Sequence, residues 1–312
     1  MKARRRRLPP PLLAAMLCVA AGQAWADAVA LINVNQLSPR YRQINAGAIA
    51  AARAAGVELV IFNANDVAAA QERAIETYVI NGVDAIGVVP IEPGLLVDDI
   101  AWAREQGVPV IAIDTPIPDS VAAAYVGADN GQAARDLVAQ MLGTATRGAS
   151  PPATVAVFGS DAGGIGERRR AGLSVALATA AGGVEMLVDS GPVDGLETAR
   201  ARIEALIEAH GEIGAICATD PLALAGAIAA VVDLGVVGDV AVYGWGLSAS
   251  VVQAIDSGVV AAVVLDDGYR AGAATVETAV KLIDGVPATA VVEVRSTIVN
   301  AGNVDAYRRL FD

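Results

Sequence analysis

Apolar residues in this chain gather into short unbroken runs, each stopped by a polar residue or a glycine. The clearest is GVPVIAIDT, Gly107 to Thr115, in which Val108, Val110, Ile111, Ala112 and Ile113 show no alternation. That pattern predicts a strand buried on both faces, as in a parallel sheet covered by helices. Pro109 is compatible only with the strand's start. The run stops at Asp114, a carboxylate that is costly to bury unless something pairs with it. The same design recurs at Ala28–Val34 before Asn35, Val57–Phe62 before Asn63 and Val83–Val89 before Pro90. It continues at Thr154–Phe158 before Gly159, Val184–Val188 before Asp189 and Ile213–Ala218 before Thr219-Asp220. Val240–Tyr243 before Gly244-Trp245 and Val259–Leu265 before Asp266-Asp267 complete the series. In open α/β sheets ligands bind at the carboxyl ends of strands, so the series predicts polar groups gathered along one rim.

Helical spacing fills the intervals at 45–55, 68–80, 95–105, 132–142, 167–180, 196–209, 222–234 and 248–257. Such alternation predicts right-handed βαβ units in a parallel sheet. The strands are too many for one ordinary sheet, and the pattern restarts near residue 130. The expected fold class is therefore α/β, with two doubly wound parallel-sheet lobes. The tail carries a helix to Ile283 and a strand at Ala290–Val294. It is expected to return to the first lobe before the last residues join the second. The expected boundaries are 27–128 plus 267–295 for one lobe and 129–266 plus 296–312 for the other.

The first residues differ in kind. Lys2 and Arg4 to Arg7 make a basic head, Leu12 to Ala21 is apolar, and Ala24-Trp25-Ala26 is a small-x-small cleavage signal. This predicts a secretory signal peptide over 1–26, cut after Ala26. The apolar run is short of the ~20 residues a spanning helix needs. Leu17 is too large to make Cys18 a fitting lipidation site. Removing 1–26 leaves 17 Lys and Arg against 34 Asp and Glu, a net charge of −17. So acidic a chain argues against nucleic acid and anionic lipid as partners. One remaining cysteine, Cys217, in an apolar run, excludes an internal disulfide and reads as a small buried hydrophobe. The single histidine, His210, stands at a helix end beside Gly211. A zinc site or a histidine-based nucleophile lacks its residues; no metal or cofactor is expected.

Gly159 to Gly166, GSDAGGIG, lies between a strand and a helix, where a phosphate-cradling loop would sit. It lacks the final glycine of G-x-G-x-x-G, since Arg169 stands there, and no P-loop Lys-Ser/Thr follows. The cluster Glu167-Arg168-Arg169-Arg170 opens a helix at the expected rim, and arginine forks onto vicinal hydroxyls or carboxylates. Aromatic residues are only 4% of the chain. Two of them, Tyr41 and Trp245, fall in expected turns after strands, where each could plug a lobe's edge or face a sugar ring.

Together NGVDAIGVVP (81–90), GVPVIAIDT (107–115), YVGADN (125–130), ERRRAGL (167–173), ATDPLALAGA (218–227), VAVYGW (240–245) and VETAVKLIDG (276–285) resemble the periplasmic sugar-binding proteins of the ribose-binding type. Those are solute receptors of ABC transporters, related to the ligand lobes of LacI-type repressors. The resemblance spans residues 28–300 and implies two lobes joined at three hinge crossings and closing over one ligand. It also implies ligand positions. The turn after the first strand maps to Ser38, Arg40 and Tyr41. Asp114 matches the family's aspartate, with Thr115 in place of the common arginine. Arg169 matches the ligand arginine. Asp220 stands where asparagine is usual, followed by Pro221. Trp245 matches an aromatic, with Gly246 in place of an aspartate. Asp266 stands at a glutamine position by the last hinge. The implied protein is a monomeric, non-catalytic periplasmic receptor for a sugar or polyol, with Tyr41 and Trp245 sandwiching the ligand and a membrane permease as partner. The alternatives are a sensory subunit for a receptor kinase or chemoreceptor, and an exported NAD(P)-dependent oxidoreductase built on the Gly159 loop.

Overall fold

The apolar runs become the strands of two six-stranded sheets in a computed structural model that describes residues 27–145, 152–159, 164–180, 183–191 and 193–311. The expected leader and Ser160 to Gly163 of the glycine-rich loop lie outside the described residues. The first half runs β1 (Ala28–Asn33), α1 (Pro39–Ala55), β2 (Glu58–Asn63), α2 (Ala68–Ile80), β3 (Ala85–Val88), α3 (Val97–Glu105), β4 (Val110–Ile113) and β5 (Ala124–Ala128). The second repeats it with α4 (Asn130–Ala145), β6 (Thr154–Phe158), α5 (Ile165–Thr179), β7 (Glu185–Asp189), α6 (Leu196–Ala209), β8 (Ile213–Ala218), α7 (Pro221–Asp233), β9 (Ala241–Trp245), α8 (Ala249–Asp256) and β10 (Val260–Asp266). Then come α9 (Gly268–Ile283), β11 (Val291–Val294) and β12 (Ser296–Asn300).

Strand order is β2-β1-β3-β4-β5-β11 in one sheet and β7-β6-β8-β9-β10-β12 in the other, so the two lobes share one strand order. Each sheet is covered on both faces. In the first lobe α1 and α9 pack on one side, with α2 and α3 on the other. In the second, α6, α7 and α8 oppose α4 and α5. All four residues of β4 are buried, as an unalternating run requires.

The chain crosses between lobes three times, each time through one residue between two elements: Asp129, Asp267 and Arg295. Every pairing is parallel except β10 with β12. The exception to the expected parallel sheet follows from the crossing. β11 runs toward the hinge beside β5, and the chain continues straight through Arg295 into the second sheet. β12 therefore leaves the hinge while β10 arrives at it.

Two further differences have local causes. Helix α1 begins at Pro39, not at Asn45. Asn35 Oδ1 accepts the N–H groups of Leu37 and Ser38 at 3.1 and 3.0 Å, and Pro39 starts the helix. Its polar first turn hides the helical periodicity, and Tyr41 sits on that turn rather than in a loop. Trp245 likewise is the last residue of β9, not a turn residue.

Helices α1 and α9 touch backbone to backbone. A Cβ at Gly272 would lie 1.9 Å from the Ile44 carbonyl oxygen. Gly272→Ala is expected to lower stability by about 2 kcal/mol through overpacking. Gly94→Ala, with no atom within 4 Å of the added carbon, is expected to change it by no more than about 0.5 kcal/mol. Urea unfolding compares the two; equal effects would contradict the close approach.

Candidate functional site

All strands but β12 end at the hinge side of their sheet, so the carboxyl rims of the two lobes face each other. On the first rim, Asn33 closes β1 fully buried. Its Nδ2 donates to the Tyr41 carbonyl at 3.2 Å and to Asn45 Oδ1 at 2.8 Å. That pins the first turn of α1, which carries Arg40. Just past β4, Asp114 takes a left-handed backbone, φ +63°, a conformation aspartate tolerates better than most residues. Thr115 N–H donates back to the Ile113 carbonyl at 2.7 Å, closing a three-residue turn. The guanidinium of Arg40 forks onto the Asp114 carboxylate through Nε, at 2.7 Å, and Nη2. Its Nη1 donates to the Asp266 carbonyl at 3.0 Å. Tyr125 on β5 donates its hydroxyl to the Asp114 carbonyl at 2.8 Å.

At the hinge, Asp266 closes β10 opposite Ser296 of β12. Ser296 Oγ donates to Asp266 Oδ1 at 2.6 Å, and Arg169 Nη2 donates to Oδ2 at 2.9 Å. Arg169, on α5, also donates from Nη1 to the Thr219 carbonyl at 2.7 Å and from Nε to Asn130 Oδ1 at 3.3 Å. Its guanidinium lies 5.4 Å from the centre of the Trp245 ring. Arg168 reaches from the second lobe over the Tyr125 ring of the first, at 6.0 Å. Gly159, just past β6, must be glycine. Its φ is +151°, and a Cβ would fall 2.1 Å from Thr219 Oγ1.

Both ion pairs are largely out of water. The side chains of Arg169 and Asp266 keep 8% and 9% of their exposure, those of Arg40 and Asp114 28% and 10%. Burial would raise the Asp266 carboxyl, but Arg169 and Arg40 outweigh it and hold the group below the usual aspartate range. Burial opposes the charge on Arg40, yet Asp114 and Asp266 leave its pKa raised. Burial, with Asp114 adding to it, pushes the Tyr125 phenol up to about 12. Cys217 is fully buried in β8 and burial alone pushes its thiol up to about 12, so it is inert as a nucleophile.

Of the residues singled out in the sequence, Arg40, Asp114, Arg169 and Asp266 meet in one cluster. Ser38 is the N-cap residue of α1 and makes no side-chain cap bond. Tyr41 adjoins the cluster half-buried against the first lobe's core. Asp220 caps α7, accepting the Ala223 N–H at 2.8 Å, so part of its carboxylate serves the helix. Trp245 departs from its expected place on the cleft wall. It is 1% exposed, within the second lobe's core and beneath Arg169, and its Nε1 has no hydrogen-bond partner. Asn130, Ser296, Thr219 and Tyr125 belong to the cluster and were not anticipated. Their signal was position, since Asn130 and Ser296 each follow a one-residue crossing. Large grooves of about 510 Å³ beside Trp102 and about 520 Å³ beside Arg295 contain none of the expected site residues. Among the described residues no group of three or more potential metal ligands occurs.

Paired α/β lobes with facing carboxyl rims and a shared charged cluster define a two-lobed binding protein. Residues 29–287 match the family described as periplasmic binding protein domain, and the chain belongs to that family. No curated protein matches. Among solved structures, a carbohydrate transporter solute binding protein from Agrobacterium radiobacter, in complex with D-arabinose, aligns with TM-score 0.79 at 22% identity over 92% of this chain and 99% of its own. A sugar-binding protein of a sugar ABC transporter from Bacillus halodurans aligns with TM-score 0.83 at 20% identity, over 90% of this chain and 100% of its own. An ABC transporter solute binding protein from Agrobacterium vitis, bound with alpha-D-tagatopyranose, gives 0.78 at 20% identity, over 91% and 99%. At these identities the likeness is one of fold.

Asp266→Ala would strand the Arg169 guanidinium, and losing one partner of such a buried pair costs about 3–5 kcal/mol. Asp114→Ala is expected to cost less, because Arg40 can turn to water; equal losses in chemical denaturation would contradict this ranking. Because the Asp266 carboxyl is depressed, its contribution is complete above about pH 4 and is lost as pH falls through its lowered pKa. Asp266→Asn is therefore expected to flatten the acid limb of the stability profile, and an unchanged limb would place that titration elsewhere.

Proposed function

We propose that this chain is the substrate-binding protein of an ABC transporter, capturing a sugar or sugar-like polyhydroxylated molecule between two closing lobes. The observation that carries the reading is the convergence of both rims on one cluster, in which Arg40 and Asp114 from the first lobe meet Arg169 from the second around Asp266 at the hinge. Family membership and the sugar-binding neighbours support it. Residues from both lobes make the closed state bind better, so ligand shifts the open–closed equilibrium toward it. Asp114 and Asp266 accept hydrogen bonds from hydroxyl groups and Arg40 and Arg169 donate to hydroxyl oxygens; Ser38, Tyr41 and Asp220 border them. A permease in the membrane reads the closed form, and the receptor carries out no catalysis. Export by the 1–26 leader places it in the periplasm, and among the described residues no helix is long and apolar enough to cross a membrane.

A thermal-shift screen over sugars, polyols, amino sugars and nucleosides tests the reading. At least one polyhydroxylated compound is expected to raise Tm, since ligand at 100 times its Kd adds about 2.7 kcal/mol. Asp114→Ala is expected to abolish that shift and its calorimetric signal while circular dichroism stays unchanged. A screen without a hit, or a hit indifferent to Asp114→Ala, would sink the assignment.

A further inference from the structure

Resting on the receptor reading above, we propose that the cleft takes an open-chain polyol in preference to a sugar ring. A sugar ring presents flat C–H faces, and burying them well requires an apolar, usually aromatic, surface. The sequence has twelve aromatic residues, and only Trp25 lies outside the described residues. The whole aromatic supply for a cleft is therefore visible. Three of these side chains adjoin the charged cluster, and each is already engaged with a neighbour. Trp245 is 1% exposed with the Arg169 guanidinium 5.4 Å from its ring centre. Tyr125 has Arg168 at 6.0 Å from its ring centre and its hydroxyl committed to the Asp114 carbonyl. Tyr41 is half-buried against the core of the first lobe.

In their place lies a largely buried row of alternating acceptors and donors. It runs from the Asp114 carboxylate to the Arg40 guanidinium, the carbonyl and carboxylate of Asp266, the Arg169 guanidinium and the Thr219 carbonyl. An acyclic polyol carries a hydroxyl on every carbon, each able to donate and accept at once, and has no flat apolar face to cover. Freezing its torsions is a cost a ring avoids. Charge-assisted hydrogen bonds, about twice as strong as neutral ones, offset it.

Calorimetry on the purified protein with matched compounds decides the matter. The probes are ribitol, xylitol and D-arabinitol, the aldoses D-ribose, D-xylose and D-arabinose, and the corresponding methyl glycosides, whose rings cannot open. The best alditol is expected to bind at least tenfold more tightly than its aldose and its glycoside. An aldose or glycoside binding as tightly as the alditol, or more tightly, overturns the polyol assignment and leaves the receptor reading standing. No binding by these compounds beside a hit from nucleosides or amino sugars also overturns it. No binding by any compound, here or in the wider screen, overturns both.

Discussion

The structure depends on a buried carboxylate. Asp266 sits where the chain passes from the second sheet back to the first, and its side chain keeps only 9% of its exposure. A charge so placed costs several kcal/mol unless its partners are well set. Each partner belongs to a different part of the hinge. Ser296 follows the third crossing, Asn130 follows the first and is held through Arg169, and Arg40 on the Asp266 carbonyl brings in the first lobe. The pair adds little net stability as a pair. Its weight is geometric, because few arrangements of three crossings leave no member of this set unpaired.

That geometry rests on how short the crossings are. With one residue between elements, a strand arriving at the hinge has no slack in which to turn. β11 therefore runs on as β12, which must oppose β10, while the remaining strands of both sheets end facing the gap. The polar stops seen in sequence become two opposed rims because every such stop lies at a carboxyl end. The charges that give the chain its acidity are largely on outer surfaces, as in the Arg200 network with Glu197, Glu204 and Asp233.

Much of this was legible in the residues. The runs at Thr154–Phe158 and Ile213–Ala218 and the helical spacings at 68–80 and 196–209 reappear with the same limits, because an unalternating apolar run and a 3.6-residue stripe are local signals. The restart near residue 130 announced two lobes. The start of α1 was not legible, since its first turn is polar and is set by Asn35 and Asn33, contacts made outside any periodicity. β5 and β12 were missed as strands because neither carries an unbroken apolar run: Gly127 interrupts one, and Ser296 and Thr297 open the other. In the site, Asp114 and Arg169 stood out by charge at a strand or helix end. Sequence could not reveal that Arg169 would lie on Trp245, since that contact joins α5 to β9. An aromatic at a rim is read as a ligand surface until something is seen to cover it.

The pairing has a consequence for recognition. Arg40 is matched by Asp114 and Arg169 by Asp266, while Asp220 lies at the amino end of α7, where the helix dipole favours a negative charge. The cluster is thus close to electrically balanced before anything enters, although the chain as a whole is strongly acidic. A charged guest would have to disturb one of these pairs, and splitting a buried pair is expensive. A neutral guest need only share the lone pairs and N–H groups that the pairs leave over, since a carboxylate has about four acceptor sites and a forked arginine fills two of them. The internal ion pairs therefore do more than hold the hinge. In the receptor proposed above they would favour an uncharged guest and leave specificity to how its hydroxyls are spaced along the row.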